Sequence, residues 1–157
     1  MKKLSYIIFA LFSLILVACS SDDSSSNNNN STDELYLKFT VNGQNYDFEP
    51  ETLNSLQKLI MGQKETSSII TRLSLWMPST PTIGSHNITD DTPSDANITT
   101  LHNAEFYVGD DTYTATSGTI VITELNSDIV KGTFNFVAED INGVTVSVTN
   151  GSFRADR

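Results

Sequence analysis

The sequence predicts an all-β fold, an antiparallel β-sandwich or a partly open barrel of about seven to nine strands. Three observations lead there. Apolar and polar residues alternate with period two along most of the chain beyond residue 33. Turn sequences rich in Asn, Gly and Asp recur between the alternating runs. No stretch calls for a long amphipathic helix.

The first strand places Leu35, Leu37, Phe39 and Val41 on one face and Tyr36, Lys38 and Thr40 on the other. Asn42-Gly43 follows, the strongest short hairpin signal, because both residues tolerate the positive φ that a tight hairpin turn demands. The return strand carries Tyr46 and Phe48, and Pro50 ends it. Leu53 to Met61 fits two readings: Leu53, Leu56, Leu59 and Ile60 have the spacing of a short helix, while the run also suits a strand closed by Gly62. A strand is expected for its second half. Ser68 to Met77 reads as a strand with Leu73, Leu75 and Met77 on one face and Ile70, Arg72, Ser74 and Trp76 on the other. Pro78 and Pro81 stop it, since neither donates to a ladder.

Ser79 to Thr100 is loop-like, with a short strand expected at Gly84–Ile88. Glu105–Val108 and Tyr113–Ala115 flank the turn Gly109-Asp110-Asp111. The C-terminal third is a meander. Thr119–Leu125 sets Ile120 and Ile122 on one face and Val121 on the other; Asn126-Ser127-Asp128 turns the chain. Lys131–Glu139 returns with Phe134 and Phe136 aligned. Asp140-Ile141-Asn142-Gly143 turns again, Val144, Val146 and Val148 line one face of the next strand, and Asn150-Gly151 leads to Phe153.

Ahead of this domain stands a leader, expected over residues 1–18. Lys2 and Lys3 precede an apolar run from Tyr6 to Val17. That run is shorter than the roughly 20 residues a membrane-spanning helix needs and has the length of a signal-peptide core. Leu16-Val17-Ala18-Cys19 closes it in the pattern of a bacterial lipoprotein cleavage box, around the only cysteine of the chain. In this reading Cys19 carries the lipid. One acyl chain holds a membrane weakly, while two or more, at ~0.8 kcal/mol per buried methylene, anchor stably. With Cys19 so used, no thiol remains for a disulfide, a nucleophile or a zinc site, and the domain must rest on its core.

Residues 19–32 make a Ser, Asp and Asn tract whose lack of apolar residues predicts a disordered tether of about 20 Å reach. Residues 33–157 form the expected single β domain. The chain carries a net charge of −10, which becomes −12 once Lys2 and Lys3 leave with the leader. This balance argues against a nucleic-acid partner and against binding anionic lipid through the domain itself. The membrane is therefore expected to be met through the lipid on Cys19.

The stretch Cys19-Ser20-Ser21-Asp22-Asp23 resembles the acidic export signal of lipoproteins in the Bacteroidota, which implies the outer membrane and its cell-surface face, with the periplasmic face as the alternative. Ser117-Gly118-Thr119-Ile120-Val121-Ile122-Thr123-Glu124, then Lys131-Gly132-Thr133-Phe134-Asn135-Phe136, then Val146-Ser147-Val148-Thr149-Asn150-Gly151-Ser152-Phe153, resemble a family of small uncharacterised Bacteroidota lipoproteins. The Val41-Asn42-Gly43 hairpin fits that family's opening. The resemblance leaves Glu51 to Asn103 unmatched. It implies a fold and a location, and it carries no activity, cofactor or site. Read physically, each Gly-Thr pair is expected to open a strand and relieve a crowded turn.

Signs of chemistry are sparse. His86 and His102 lack metal-ligand spacing, and no nucleophile-elbow sequence surrounds a serine. Asp90, Asp91 and Asp95 share one loop, where calcium is conceivable, but the glycine and terminal glutamate of an EF-hand are missing. Asp110 and Asp111 read as solvated turn residues. No metal, no cofactor and no catalytic residue is expected. Trp76 stands apart, opposite the Leu73 face: if exposed, it offers a stacking platform for a sugar or an anchor for a protein partner, and if the sheet is strongly curved it fills an edge of the core. The sequence thus supports a non-catalytic, lipid-anchored envelope protein of interaction or structural type. A glycan- or small-ligand-binding domain beside an outer-membrane uptake system is the alternative.

Overall fold

The computed structural model describes residues 34–157; the leader, Cys19 and the tether lie outside the described residues. Ten strands follow in chain order: β1 (Tyr36–Val41), β2 (Gln44–Phe48), β3 (Glu51–Asn54), β4 (Gln57–Thr66), β5 (Ile69–Pro78), β6 (Gly84–Ile88), β7 (Asn103–Val108), β8 (Asp111–Leu125), β9 (Ile129–Glu139) and β10 (Thr145–Asp156). They form one sheet in the order β2-β1-β10-β9-β8-β7-β5-β4-β3, with β6 paired to β8 beside this path. Every pairing is antiparallel. The fold is thus all-β, as the alternation requires, and it takes the partly open barrel form. A single sheet curls until Phe48 of β2 meets Gly62 of β4, where an added β-carbon would lie 2.7 Å from that of Phe48.

The strand count exceeds the expected seven to nine for a local reason. Leu53 to Met61 is neither a helix nor one strand but the body of a hairpin, β3 to β4, turning at Ser55 and Leu56. A helix would have buried its leucine stripe. Instead Ile60 alone of that set is fully buried, while Leu53 and Leu56 are 56% and 80% exposed. The reverse occurs further on. Tyr113–Ala115 and Thr119–Leu125 run together as the 15-residue β8. Its pairing to β9 slips between Ala115 and Ser117 and again between Ile122 and Glu124. Such bulges bend a strand and sharpen its twist, which lets so long a strand follow the curl of the sheet.

The concave face holds the core. Leu37 and Phe39 of β1, Leu73, Leu75 and Met77 of β5, Ile120 and Ile122 of β8, Phe134 and Phe136 of β9 and Phe153 of β10 are all buried together. Each such side chain contributes roughly 1.5–3 kcal/mol by leaving water. Gly118 and Gly132 do not open strands; both lie inside them, in β8 and β9. At Gly132 a β-carbon would stand 2.2 Å from the Val121 carbonyl oxygen and 2.9 Å from the Phe153 ring, so glycine is what allows Phe153 to lie flat across β9.

Antiparallel succession sorts the connections. The tips Asn42-Gly43, Ser67-Ser68, Gly109-Asp110 and 141–143 gather at one end of the barrel. The start of β1 and the long connection 89–102 lie at the other.

Candidate functional site

Trp76 sits near the end of β5, on the convex face. Its strand neighbours Leu75 and Met77 point into the core and are fully buried, so period-two geometry turns the indole outward. There it is half-buried, between cross-strand partners Leu59 on β4 and Asn103 on β7. The wide connection after β6 supplies the opposite wall. Asn97 fastens this loop: its Oδ1 accepts from the Ser94 backbone N–H at 2.8 Å and the Ser94 hydroxyl at 3.1 Å, and its Nδ2 donates to the Thr92 carbonyl at 3.1 Å. Asn103 ties the loop's start to the sheet, donating to the carbonyls of Thr89 at 2.7 Å and Asp91 at 3.2 Å. The Thr89 hydroxyl donates to the Asp91 carboxylate at 3.0 Å.

The result is a cleft of about 280 Å³ with Trp76 on its floor, bounded by Gln57, Asp90, Asp91, Asn103, Glu105 and Thr114 among others. Glu105 is held in place by Arg72, whose Nη2 lies 3.2 Å from its Oε1, and the Arg72 guanidinium in turn lies 5.0 Å from the centre of the Tyr107 ring. An apolar ring flanked by carboxylates and amides suits a ligand with one apolar face and hydroxyls at its edge. The carboxylates accept from hydroxyls; Asn103, with its N–H groups given to Thr89 and Asp91, and Gln57, which donates to the Leu101 carbonyl, offer their side-chain oxygens as acceptors; and the indole offers a flat apolar surface and an N–H.

The two histidines, 16 positions apart in sequence, are brought together by β6, which carries His86 beside β8, and by the connection that ends at His102 just before β7. Their rings stack with centroids 4.4 Å apart and planes 11° from parallel. His102 Nδ1 lies 2.9 Å from the Thr100 carbonyl oxygen, which only accepts, so Nδ1 carries the proton. His102 is 3% exposed, and its Nε2 is buried without a hydrogen-bond partner. Burial pushes its pKa down to about 4, against the opposing effect of the Thr100 carbonyl and with help from nearby His86. His86 Nε2 lies 2.8 Å from the Thr82 carbonyl oxygen. Parallel stacking keeps the two rings' lone pairs in separate planes. Among the described residues no group of three or more His, Cys, Asp and Glu side chains is placed to hold a metal ion, and this includes the loop of Asp90, Asp91 and Asp95.

One buried charge escaped the sequence reading. Lys58 faces into the barrel on β4, 1% exposed, and its ammonium donates to the Asn54 side-chain oxygen. Burial, with a smaller contribution from Arg157, lowers its pKa.

Residues 52–155 match the family described as Domain of unknown function (DUF6252). The chain belongs to the DUF6252 family. The match takes in the middle of the domain, with Trp76 and the loop that walls its cleft, as well as the C-terminal meander. Comparison with curated proteins and with solved structures gives no significant match. Family membership brings no assigned activity, so the chemistry of the cleft carries the functional reading.

Proposed function

We propose that this protein is a non-catalytic, lipid-anchored cell-envelope protein that binds a glycan in the Trp76 cleft. One observation carries the binding reading: the chain's single tryptophan is turned away from the core and left partly exposed in a cleft edged by Asp90, Asp91, Asn103 and Glu105. Sugars present a C–H face that packs on an aromatic ring and hydroxyls that bond carboxylates and amides, and this cleft supplies both at once. The acidic edge favours neutral or cationic saccharides over anionic ones.

The anchor rests on Leu16-Val17-Ala18-Cys19, and the outer-membrane, surface-facing location on Asp22 and Asp23. A place beside an outer-membrane uptake system suits a tethered glycan binder. The non-catalytic reading is supported by His102: one ring nitrogen is engaged by Thr100, and the other is buried without a partner. A general base needs a substrate proton within reach.

The test is a glycan array read with the wild type and with Trp76→Ala. Binding by the wild type that Trp76→Ala abolishes, with circular dichroism unchanged, is the expected outcome. Retained binding by the variant contradicts the assignment.

A further inference from the structure

The seam of the half-barrel has a different chemistry from the Trp76 cleft. The sheet ends at β2 on one side and β3 on the other. β3 covers only the lower half of β4, pairing residues 51–54 with 58–61. Above that point the edge of β4 has no strand neighbour among the described residues, and neither has the outer edge of β2. The two edges touch where Phe48 packs on Gly62, and above the contact they bound a cleft of about 450 Å³.

Hairpin geometry tells which backbone groups face this cleft. Asn42-Gly43 and Ser67-Ser68 are two-residue turns with positive φ at both positions, 50° and 80° in the first and 51° and 65° in the second. In such hairpins the residues flanking the turn form a hydrogen-bonded pair, and bonded and non-bonded pairs alternate from there. On β2, Gln44, Tyr46 and Phe48 therefore bond to β1, and the N–H and C=O groups of Asn45 and Asp47 point into the seam. The side chains agree. Thr40 with Asn45 at 2.8 Å and Lys38 with Asp47 at 3.1 Å are close contacts across the non-bonded positions. On β4 the same count from Thr66 and Ile69 turns Gln63 and Glu65 toward the seam.

The cleft lining is mixed, with Lys64, Thr66 and Thr71 on the same inward face as an apolar patch. Tyr46, stacked on Phe39 at 4.9 Å, forms that patch with Val108 and Ile69. Ile69 is 51% exposed although it lies on the concave side. On the convex side lie the carboxylates of Asp47, which is paired with Lys38 at 3.1 Å, and of Glu65 on the facing edge.

We propose that the seam receives an extended segment of a partner protein as an added strand, with apolar residues facing in and basic residues facing out on alternate positions. The two edges offer backbone donors and acceptors for the segment's own N–H and C=O groups. Its inward side chains cover Ile69, Tyr46 and Val108, and its outward lysines or arginines lie between Asp47 and Glu65. Strand addition of this kind draws affinity from main-chain hydrogen bonds and selectivity from the alternate side chains.

The probe is a fluorescein-labelled hexapeptide, Lys-Val-Lys-Val-Lys-Val with blocked ends, titrated against the full chain by anisotropy. A second peptide of the same sequence is N-methylated at alternate residues, which keeps charge and apolar area but removes strand hydrogen bonds. At least tenfold weaker binding of the methylated peptide is expected. In hydrogen exchange, slowed amides at Asn45, Asp47, Gln63 and Glu65 are expected in the presence of the unmethylated peptide. No binding, equal binding of both peptides, or unchanged exchange at these four amides overturns the proposal. Protection of the four amides by raising the protein concentration without peptide also overturns it, since a second copy would then be the occupant.

Discussion

At the scale of single residues, burial decides more than residue type. His102 is the clearest case. Buried against His86, it is held with its pKa near 4, below the ordinary value of 6.5. Between those values the unfolded chain binds a proton that the native state refuses. The native state's advantage is therefore complete above about pH 6.5 and is lost as pH falls toward 4. At pH 5 the domain is expected to be about 2 kcal/mol less stable than at pH 7.5 on this account alone. Urea denaturation at the two pH values measures it, and His102→Leu should flatten the difference; an unchanged pH slope in the variant rejects the cause. The histidine pair was not legible in the sequence, because a contact between residues 86 and 102 is made by pairing β6 with β8 and by the fold of the loop between. Lys58 was equally hidden. Strand alternation puts it on the Ile60 face, but lysine in a run open to a helical reading gave no sign of an inward position. By contrast, Trp76 could be placed opposite Leu73, Leu75 and Met77 from period two alone.

At the scale of elements, the long alternating runs were readable and the short ones were not. β1, β5, β9 and β10 show apolar positions every second residue, and the turn chemistry between them is explicit in Asn42-Gly43 and in Asp140 to Gly143. In the latter turn the Asp140 carboxylate accepts from the backbone N–H of Val144, and also from that of Asn142, which lowers its pKa. The β3–β4 hairpin was obscured because Leu53 and Leu59 lie on the convex face, so leucine there does not mark the core. The bulge in β8 hid the continuity of one strand, since a bulge resets the alternation on which a strand reading depends. β9 offers the sharpest energetic test. Phe136 is 2% exposed and its neighbour Asn135 faces solvent. Phe136→Ala should cost ~3–5 kcal/mol. Asn135→Ala should stay within about 0.5 kcal/mol of wild type, as surface changes do. Chemical denaturation of both variants checks this, and equal losses would mean that the strand's inner face has been misassigned.

At the scale of the whole molecule, the domain is a scaffold whose recesses differ in chemistry, among them an acid-edged cleft around Trp76 on the convex face and the seam between β2 and β4. The cleft lies toward the end of the barrel where the chain enters β1. The all-β class was legible because it follows from periodicity, whereas the choice of an open barrel over a sandwich depends on bulges, in-strand glycines and the Phe48–Gly62 closure. Anchoring through Cys19 predicts that Cys19→Ala moves the protein from the membrane fraction to the soluble fraction with its melting temperature unchanged. Mass spectrometry of the wild type should find a diacyl or triacyl group on an N-terminal Cys19, and an unmodified mature protein beginning elsewhere rejects the anchor. Of the Trp76 cleft's walls, sequence reading had only the tryptophan and the acidic pair Asp90 and Asp91. Glu105 and Asn103 join them through the β5–β7 pairing, which no local pattern announces. Ligand binding there is tested most directly by titrating the intrinsic fluorescence of Trp76 with a panel of polysaccharides, because no other tryptophan contributes to the signal. A saturable change in emission with at least one polysaccharide is the predicted result, and an emission spectrum that no sugar alters would contradict it.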